Sequence, residues 1–377
     1  MVAAAAVLAA LVGSKLVSAD ATTYRVNARC NLDQLMRWFS SDTGLWNTYW
    51  WTGAGILTAF NDFAYLDDSV KDVYGHVWDD VLNNAPNNRP YKMRKARSND
   101  DVKRYTGWTN NFYDDEGWWV LALLGSYDNT GDQAQLQAAI TLWEDIDDGF
   151  GTHVCGGIPW KKEPATTGPL AIPNSLYITA SAAIANRVGS NTRQTYLDAA
   201  LKGWDWFKSS ELIGSDNLVA DGIDVDTCKS RGDAVYTYNQ GSIIGGLVEL
   251  AHATGDDSYL DTASDIADAV IADDSPMVQD GILVDGCDKD QSCDGDGIAF
   301  KGVFARNLRR LYLARPTDSW KDFLQNNAQS IWNNDLSLHD DGCFNGVYWA
   351  GPYTDKDAPV AQGIALDALT AALATTL

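Results

Sequence analysis

Two kinds of helical segment alternate along the chain. The first opens on a polar turn, passes through Tyr-Leu or an equivalent, and continues with small and apolar residues at helical spacing. It recurs at residues 61–82, 130–146, 189–207, 254–271 and 317–332. The second is richer in aromatic and small residues and recurs at 50–59, 113–124, 174–186, 238–252 and 300–314, with 361–373 closing the series. With residues 30–39 added to the first kind, each recurs about six times, the rhythm of a helical-hairpin repeat. A helix with one apolar stripe covers a core and faces water, whereas one that is apolar all round must be enclosed. The pattern therefore predicts an all-α fold, an (α/α)6 barrel in a single domain over residues 20–377, with the amphipathic set outside and the aromatic set inside. The connections at 149–173 and 219–237 are rich in Gly, Asp and aromatic residues and are expected to line one mouth of the barrel.

A chain of 377 residues, 45% hydrophobic and 21% charged, can bury a large core. Residues 1–19 read as a secretory signal peptide: an apolar run at 2–12, then Val17-Ser18-Ala19 before Asp20, although the only basic residue, Lys15, falls late. That run is too short to span a bilayer, and no transmembrane segment or GPI-type tail is expected. A secreted protein, extracellular or associated with a cell wall, follows. In that compartment six cysteines favour disulfides. Cys287 and Cys293 are the safest pair, whereas Cys30, Cys155, Cys228 and Cys343 allow three pairings. A net charge of −23 repels phosphates and argues against nucleic acid as a partner. A monomer is expected. The acidity comes from 46 Asp against 5 Glu, a residue suited to turns and helix starts. The 15 Trp are the first functional hint. Flat rings stack on sugars, although a large helical core also consumes Trp.

Eight adjacent Asp pairs occur, so a pair alone carries little meaning. Asp114-Asp115 stands apart because it falls at the first turn of a predicted inner helix among aromatics, in Asn110-Asn111-Phe112-Tyr113-Asp114-Asp115-Glu116-Gly117-Trp118-Trp119. Neighbours on a helix diverge by about 100°, so two such side chains can approach one bond from different directions. Glycoside hydrolysis needs one carboxyl to protonate the leaving oxygen and another to attack carbon or activate water. Apolar walls would keep one protonated, while hydrogen bonds and the helix N-terminus keep the other ionised. The plain alternative is that both cap the helix. A Mg²⁺-diphosphate motif would need acid where Trp118 stands, and the four histidines form no ligand-spaced cluster, so neither a metal nor another cofactor is expected. Residues 285–297 alternate Asp like a calcium loop. Cys293 occupies the glycine position and Ala299 the bidentate glutamate position, which favours a disulfide-clipped acidic turn.

At these residues the chain resembles glycoside hydrolase family 76, the endo-α-1,6-mannanases and their fungal cell-wall relatives. The resemblance is carried by Tyr49-Trp50-Trp51-Thr52-Gly53-Ala54, Phe112-Tyr113-Asp114-Asp115-Glu116, Cys155-Gly156-Gly157-Ile158-Pro159-Trp160, Ala171-Ile172-Pro173-Asn174-Ser175, Ala220-Asp221-Gly222, Thr237-Tyr238-Asn239-Gln240-Gly241 and Phe300-Lys301-Gly302-Val303-Phe304-Ala305-Arg306. It implies the same barrel and a retaining mechanism, with Asp114 as nucleophile and Asp115 as general acid/base. It also implies a cleft lined by Trp51, Trp160, Asn174, Asp221, Tyr238, Asn239, Gln240 and Lys301. The expected substrate is α-1,6-mannan or its oligosaccharides, cut internally. The alternative is a wall transglycosidase acting on the mannose of GPI-anchored glycoproteins. A non-catalytic mannan binder would have no need of both carboxyls.

Overall fold

The computed structural model describes residues 19–88, 107–163, 168–232, 234–339, 342–356 and 358–377. The segment read as a signal peptide lies outside the described residues, apart from Ala19. Among the described residues thirteen α-helices form. Seven belong to the outer layer: α1 (Ala21–Leu35), α3 (Ser69–Tyr74), α4 (His76–Asn84), α6 (Gln133–Asp148), α8 (Ser190–Ser209), α10 (Ser258–Ile271) and α12 (Asp318–Asn334). Six belong to the inner layer: α2 (Trp50–Leu66), α5 (Tyr113–Thr130), α7 (Ala171–Ala185), α9 (Thr237–Thr254), α11 (Phe300–Ala314) and α13 (Ala358–Ala374). The inner helices pack in a closed ring, α2 on α5, α5 on α7, α7 on α9, α9 on α11, α11 on α13 and α13 back on α2. This is the (α/α)6 barrel that the alternation predicts.

The two layers differ as burial requires. Every residue of α7 is buried, and so is α13 from Val360 onward, which is why neither carries an amphipathic stripe. Two glycines allow the ring to close. A Cβ on Gly241 would stand 2.6 Å from the Phe304 backbone of α11, and one on Gly302 would stand 2.6 Å from an Asp367 carboxylate oxygen of α13. Two ion pairs lie inside the ring, Arg306 with Asp367 at 2.7 Å and Arg309 with Asp62 at 2.6 Å.

The Thr-Gly-Asp turns that open two outer segments act as paired stop and start signals. Gly131 and Gly255 close α5 and α9 in the left-handed conformation, at φ 71° and 72°. Asp132 then caps α6 by accepting Ala134 N–H at 2.9 Å, and Asp256, in the turn before α10, accepts Ser258 N–H at 2.9 Å. One boundary departs from the sequence reading. Residues 61–66, assigned there to an outer segment, continue inner helix α2. Asn61 looks like a surface residue, yet its amide donates to Ala122 O at 2.8 Å and accepts the Trp78 indole N–H at 2.7 Å inside the core. The outer position is filled by the short helices α3 and α4, which meet at Gly75.

Three two-stranded antiparallel ribbons, β1–β2 (Ile223–Asp224 with Lys229–Ser230), β3–β4 (Val278–Gln279 with Ile282–Leu283) and β5–β6 (Leu336–His339 with Gly342–Asn345), decorate the connections. No described helix is long and apolar enough to cross a membrane.

Three disulfides form: Cys30–Cys343, Cys155–Cys228 and Cys287–Cys293. The first joins α1 to β6 across 313 residues, and the second ties the connection before α7 to the one before α9. Loop closure of this kind typically contributes ~2–5 kcal/mol for a native bridge. Full reduction is expected to lower the melting temperature markedly, and a thermal scan with and without reductant checks it; an unchanged midpoint contradicts the contribution.

Candidate active site

The site begins with a short pairing of two segments that flank the start of α5. Phe112 pairs antiparallel with Lys161, Tyr113 N–H donates to Trp160 O at 3.2 Å, and Lys162 N–H donates to Asn111 O at 3.0 Å. The Asn111 side chain adds two bonds to the Glu163 backbone, at 2.8 and 3.0 Å. This stitching lays Trp160 over the first turn of α5, where its indole N–H donates to Asp114 Oδ2 at 3.0 Å. Asp115 N–H donates to Asp114 Oδ1 at 3.1 Å, and the Asn110 amide donates to Asp115 Oδ2 at 2.6 Å.

The third acid of the turn points away from the other two. Glu116 is fully buried and accepts Asn110 N–H at 2.6 Å and Lys162 Nζ–H at 2.5 Å, and Lys162 also reaches Asp145. Consecutive side chains on a helix diverge, so one turn supplies two carboxyls for chemistry and one for anchorage.

Asp114 and Asp115 line a cavity of about 660 Å³ together with Trp51, Trp118, Trp160, Asp221, Arg231, Tyr238, Asp296 and Phe300. In the same cavity Tyr238 stacks on Phe300 with centroids 3.9 Å apart, and Asp221 accepts the Asn239 amide at 3.0 Å. Asp296 comes from the acidic turn clipped by Cys287–Cys293 and accepts the Trp51 indole N–H at 3.0 Å. That bond turns Trp51 toward Trp118, with ring centroids 6.2 Å apart.

Burial pushes both carboxyls of the pair well above the ordinary aspartate range. For Asp114 the Trp160 indole and backbone N–H groups pull in the opposite direction. For Asp115 the neighbouring Asp114 charge raises it further, and only the Asn110 amide and the more distant Lys162 oppose. Asp296 adds negative charge to both. The two carboxyls therefore sit in different surroundings, Asp114 with more hydrogen-bond donors and Asp115 with the stronger repulsion from its neighbour.

The residues singled out in the sequence do not all reach this cavity. Trp51, Trp160, Asp221 and Tyr238 line it with the Asp pair, and Asn239 supports Asp221 from behind. Asn174, Gln240 and Lys301 are buried elsewhere, at 1%, 0% and 1% exposure. Asn174 accepts Ile158 N–H at 2.8 Å and donates to Ile158 O and Leu170 O. Gln240 does the same to Val219 and Tyr236, and Gln362, in the first turns of α13, does it to Asn345, Cys343 and Asn31. Glu116, Asn174 and Gln240 each occupy the fourth residue of an inner helix, so this position is a repeated clasp on the incoming connection. Lys301 pairs with Asp288 and donates to Val347 O at 2.8 Å, which anchors the clipped turn. Asp296 and Asn110 were not singled out. The alternating Asp pattern of residues 285–297 masked the first, and the second carries no signal beyond standing five residues before Asp115.

The family model for glycosyl hydrolase family 76 matches residues 20–376. A mannan endo-1,6-alpha-mannosidase of Saccharomyces cerevisiae is 24% identical over 274 residues, 69% of this chain and 57% of the relative, so the chain spans little more than half of that relative's length. The structure of an alpha-1,6-mannanase from Salegentibacter sp. superposes with a TM-score of 0.77 at 22% identity, covering 93% of this chain and 98% of that one. An inactive variant of that mannanase, with two adjacent aspartates replaced by alanine and alpha-1,6-mannotetraose bound, gives a TM-score of 0.76 at 22% identity, covering 93% and 99%.

Proposed function

Because the chain belongs to glycosyl hydrolase family 76, we propose that it is a secreted, wall-associated, monomeric endo-α-1,6-mannanase that cleaves mannan backbones with retention. The observation that carries this reading is the Asp114–Asp115 pair at the floor of a Trp-walled cleft, its two carboxyls held in different hydrogen-bonding environments. The loss of activity on replacing two adjacent aspartates in the Salegentibacter mannanase supports it.

In the first step the Asp114 carboxylate attacks the anomeric carbon while Asp115 gives its proton to the departing glycosidic oxygen. The C–O bond to the leaving sugar breaks with its electron pair on that oxygen, and a mannosyl ester forms on Asp114. In the second step Asp115, now ionised, takes a proton from water, whose oxygen displaces Asp114. The ring faces of Trp51, Trp118, Trp160 and Tyr238 offer apolar platforms for sugar C–H groups, and Asp221, Arg231 and Asp296 offer partners for hydroxyls.

Unbranched α-1,6-mannan is expected to yield short manno-oligosaccharides whose new reducing ends appear first as the α-anomer by proton NMR. A β-anomer at early times contradicts the two-step mechanism. The transglycosidase alternative predicts a different outcome when a glucan oligosaccharide is added: hybrid products dominate over free manno-oligosaccharides.

A further inference from the structure

Asn110 makes two side-chain contacts that fix its amide in one orientation, and a third through its backbone. Its Oδ1 accepts Phe112 N–H at 2.8 Å, so its NH₂ must face Asp115, where it donates to Oδ2 at 2.6 Å. Its own backbone N–H donates to Glu116 Oε1 at 2.6 Å, and Glu116 is held in turn by Lys162, itself paired with Asp145. The residue is buried, at 6% exposure. A carboxyl oxygen that accepts an N–H bond along this line is the carbonyl-like one when the group is protonated.

We infer that Asn110 is a positioning residue for the reaction: it occupies Asp115 Oδ2, leaving Oδ1 as the oxygen that carries and delivers the proton, and it sets the pH at which that proton is lost. The inference rests on the reading of Asp115 as general acid/base. An amide N–H stabilises the ionised carboxylate more than the neutral acid, so Asn110 works against the forces that keep the proton on. Those forces are burial, the Asp114 charge on the same helix turn and the Asp296 charge from the clipped turn. Lys162, on the segment after α6, acts in the same sense as Asn110, while Asp221, Arg231 and Tyr238 line the same cavity. Glu116 anchors Asn110 from behind through the backbone, so the amide is aimed by a buried ion cluster rather than by a mobile loop side chain.

The sign of the effect follows. Without the amide donor the acid form of Asp115 persists to higher pH, so the basic limb of kcat/KM moves upward. The shift is about 1–2 pH units, the size of one charge-assisted hydrogen bond. The test is the pH profile of kcat/KM on α-1,6-mannotetraose for the wild type, Asn110→Ala and Asn110→Asp. Both variants should show the basic limb displaced upward, further for Asn110→Asp, which adds a like charge. Asn110→Asp keeps the acceptor for Phe112 N–H and the side-chain size, so it carries the test if Asn110→Ala does not fold. A purely structural role would lower the rate at every pH and leave the limb in place, and that result, or a downward shift, overturns the inference. Asp115→Asn, run alongside, separates the two levels: if it keeps wild-type turnover on mannotetraose, the acid/base reading itself has failed.

Discussion

Asp114→Asn and Asp115→Asn should each lose nearly all activity on α-1,6-mannan while keeping the wild-type circular dichroism spectrum. Removing a general acid typically costs 10²–10⁴-fold, and removing the nucleophile leaves no route to the covalent intermediate. Stability should not fall with activity. Both carboxyls are buried beside one another, burial and mutual repulsion disfavour their charge, and a neutral amide relieves that cost. The asymmetry between the variants distinguishes their roles. On an aryl mannoside with a good leaving group, Asp115→Asn should regain formation of the intermediate, because protonation is no longer needed. Asp114→Asn should not. Equal rescue of both, or near-wild-type turnover in either, contradicts the assignment, and steady-state rates on mannan and on the aryl substrate decide it.

The second large effect is on stability. Lys162 is 1% exposed at its side chain and faces two carboxyls, Glu116 at 0% and Asp145 at 14% exposure. Lys162→Met keeps much of the volume but leaves both carboxyls without their cation, and breaking a buried pair in this way costs about 3–5 kcal/mol. Urea denaturation monitored by Trp fluorescence should show that loss. A change below about 1 kcal/mol would mean that the cluster does not hold the turn. Because Glu116 fixes the Asn110 backbone, the same variant should also lower kcat/KM, by loosening the support of Asp115.

The barrel and the Asp pair in the cleft could be read from the chain because each leaves a local mark. Enclosed helices such as α7 and α13 lose their amphipathic stripe, and outer ones such as α4 and α10 keep it. Asp114 and Asp115 stand in a first turn surrounded by aromatics, an unusual setting among eight Asp pairs. The Cys287–Cys293 bridge follows from its short spacing, whereas Cys30–Cys343 spans most of the chain and needs the closed ring to bring its ends together. What stays hidden is which motif residues face the cleft and which face the protein's own loops. Asn174 and Gln240 belong to the same kind of motif as Tyr238 and Asp221, yet they clasp backbone, since an amide side chain satisfies a carbonyl and an N–H together. Glu116 finds Lys162 46 residues away, and Asp296 reaches Trp51 across 245. No sequence window contains either pair. Asn61 misled for the opposite reason: its polarity marks a buried hydrogen bond to Trp78, not a surface.

On the proposed mechanism Asp114 becomes covalently mannosylated while Asp115 manages the proton. An activated 2-deoxy-2-fluoro mannosyl donor slows breakdown of the ester more than its formation, so the intermediate accumulates in the intact enzyme. Proteolysis and fragment mass spectrometry of the trapped protein should place one mannosyl unit on Asp114, with none on the Asp114→Asn variant. A label on Asp115, on Asp296 or on no carboxylate while the donor is turned over would contradict the account.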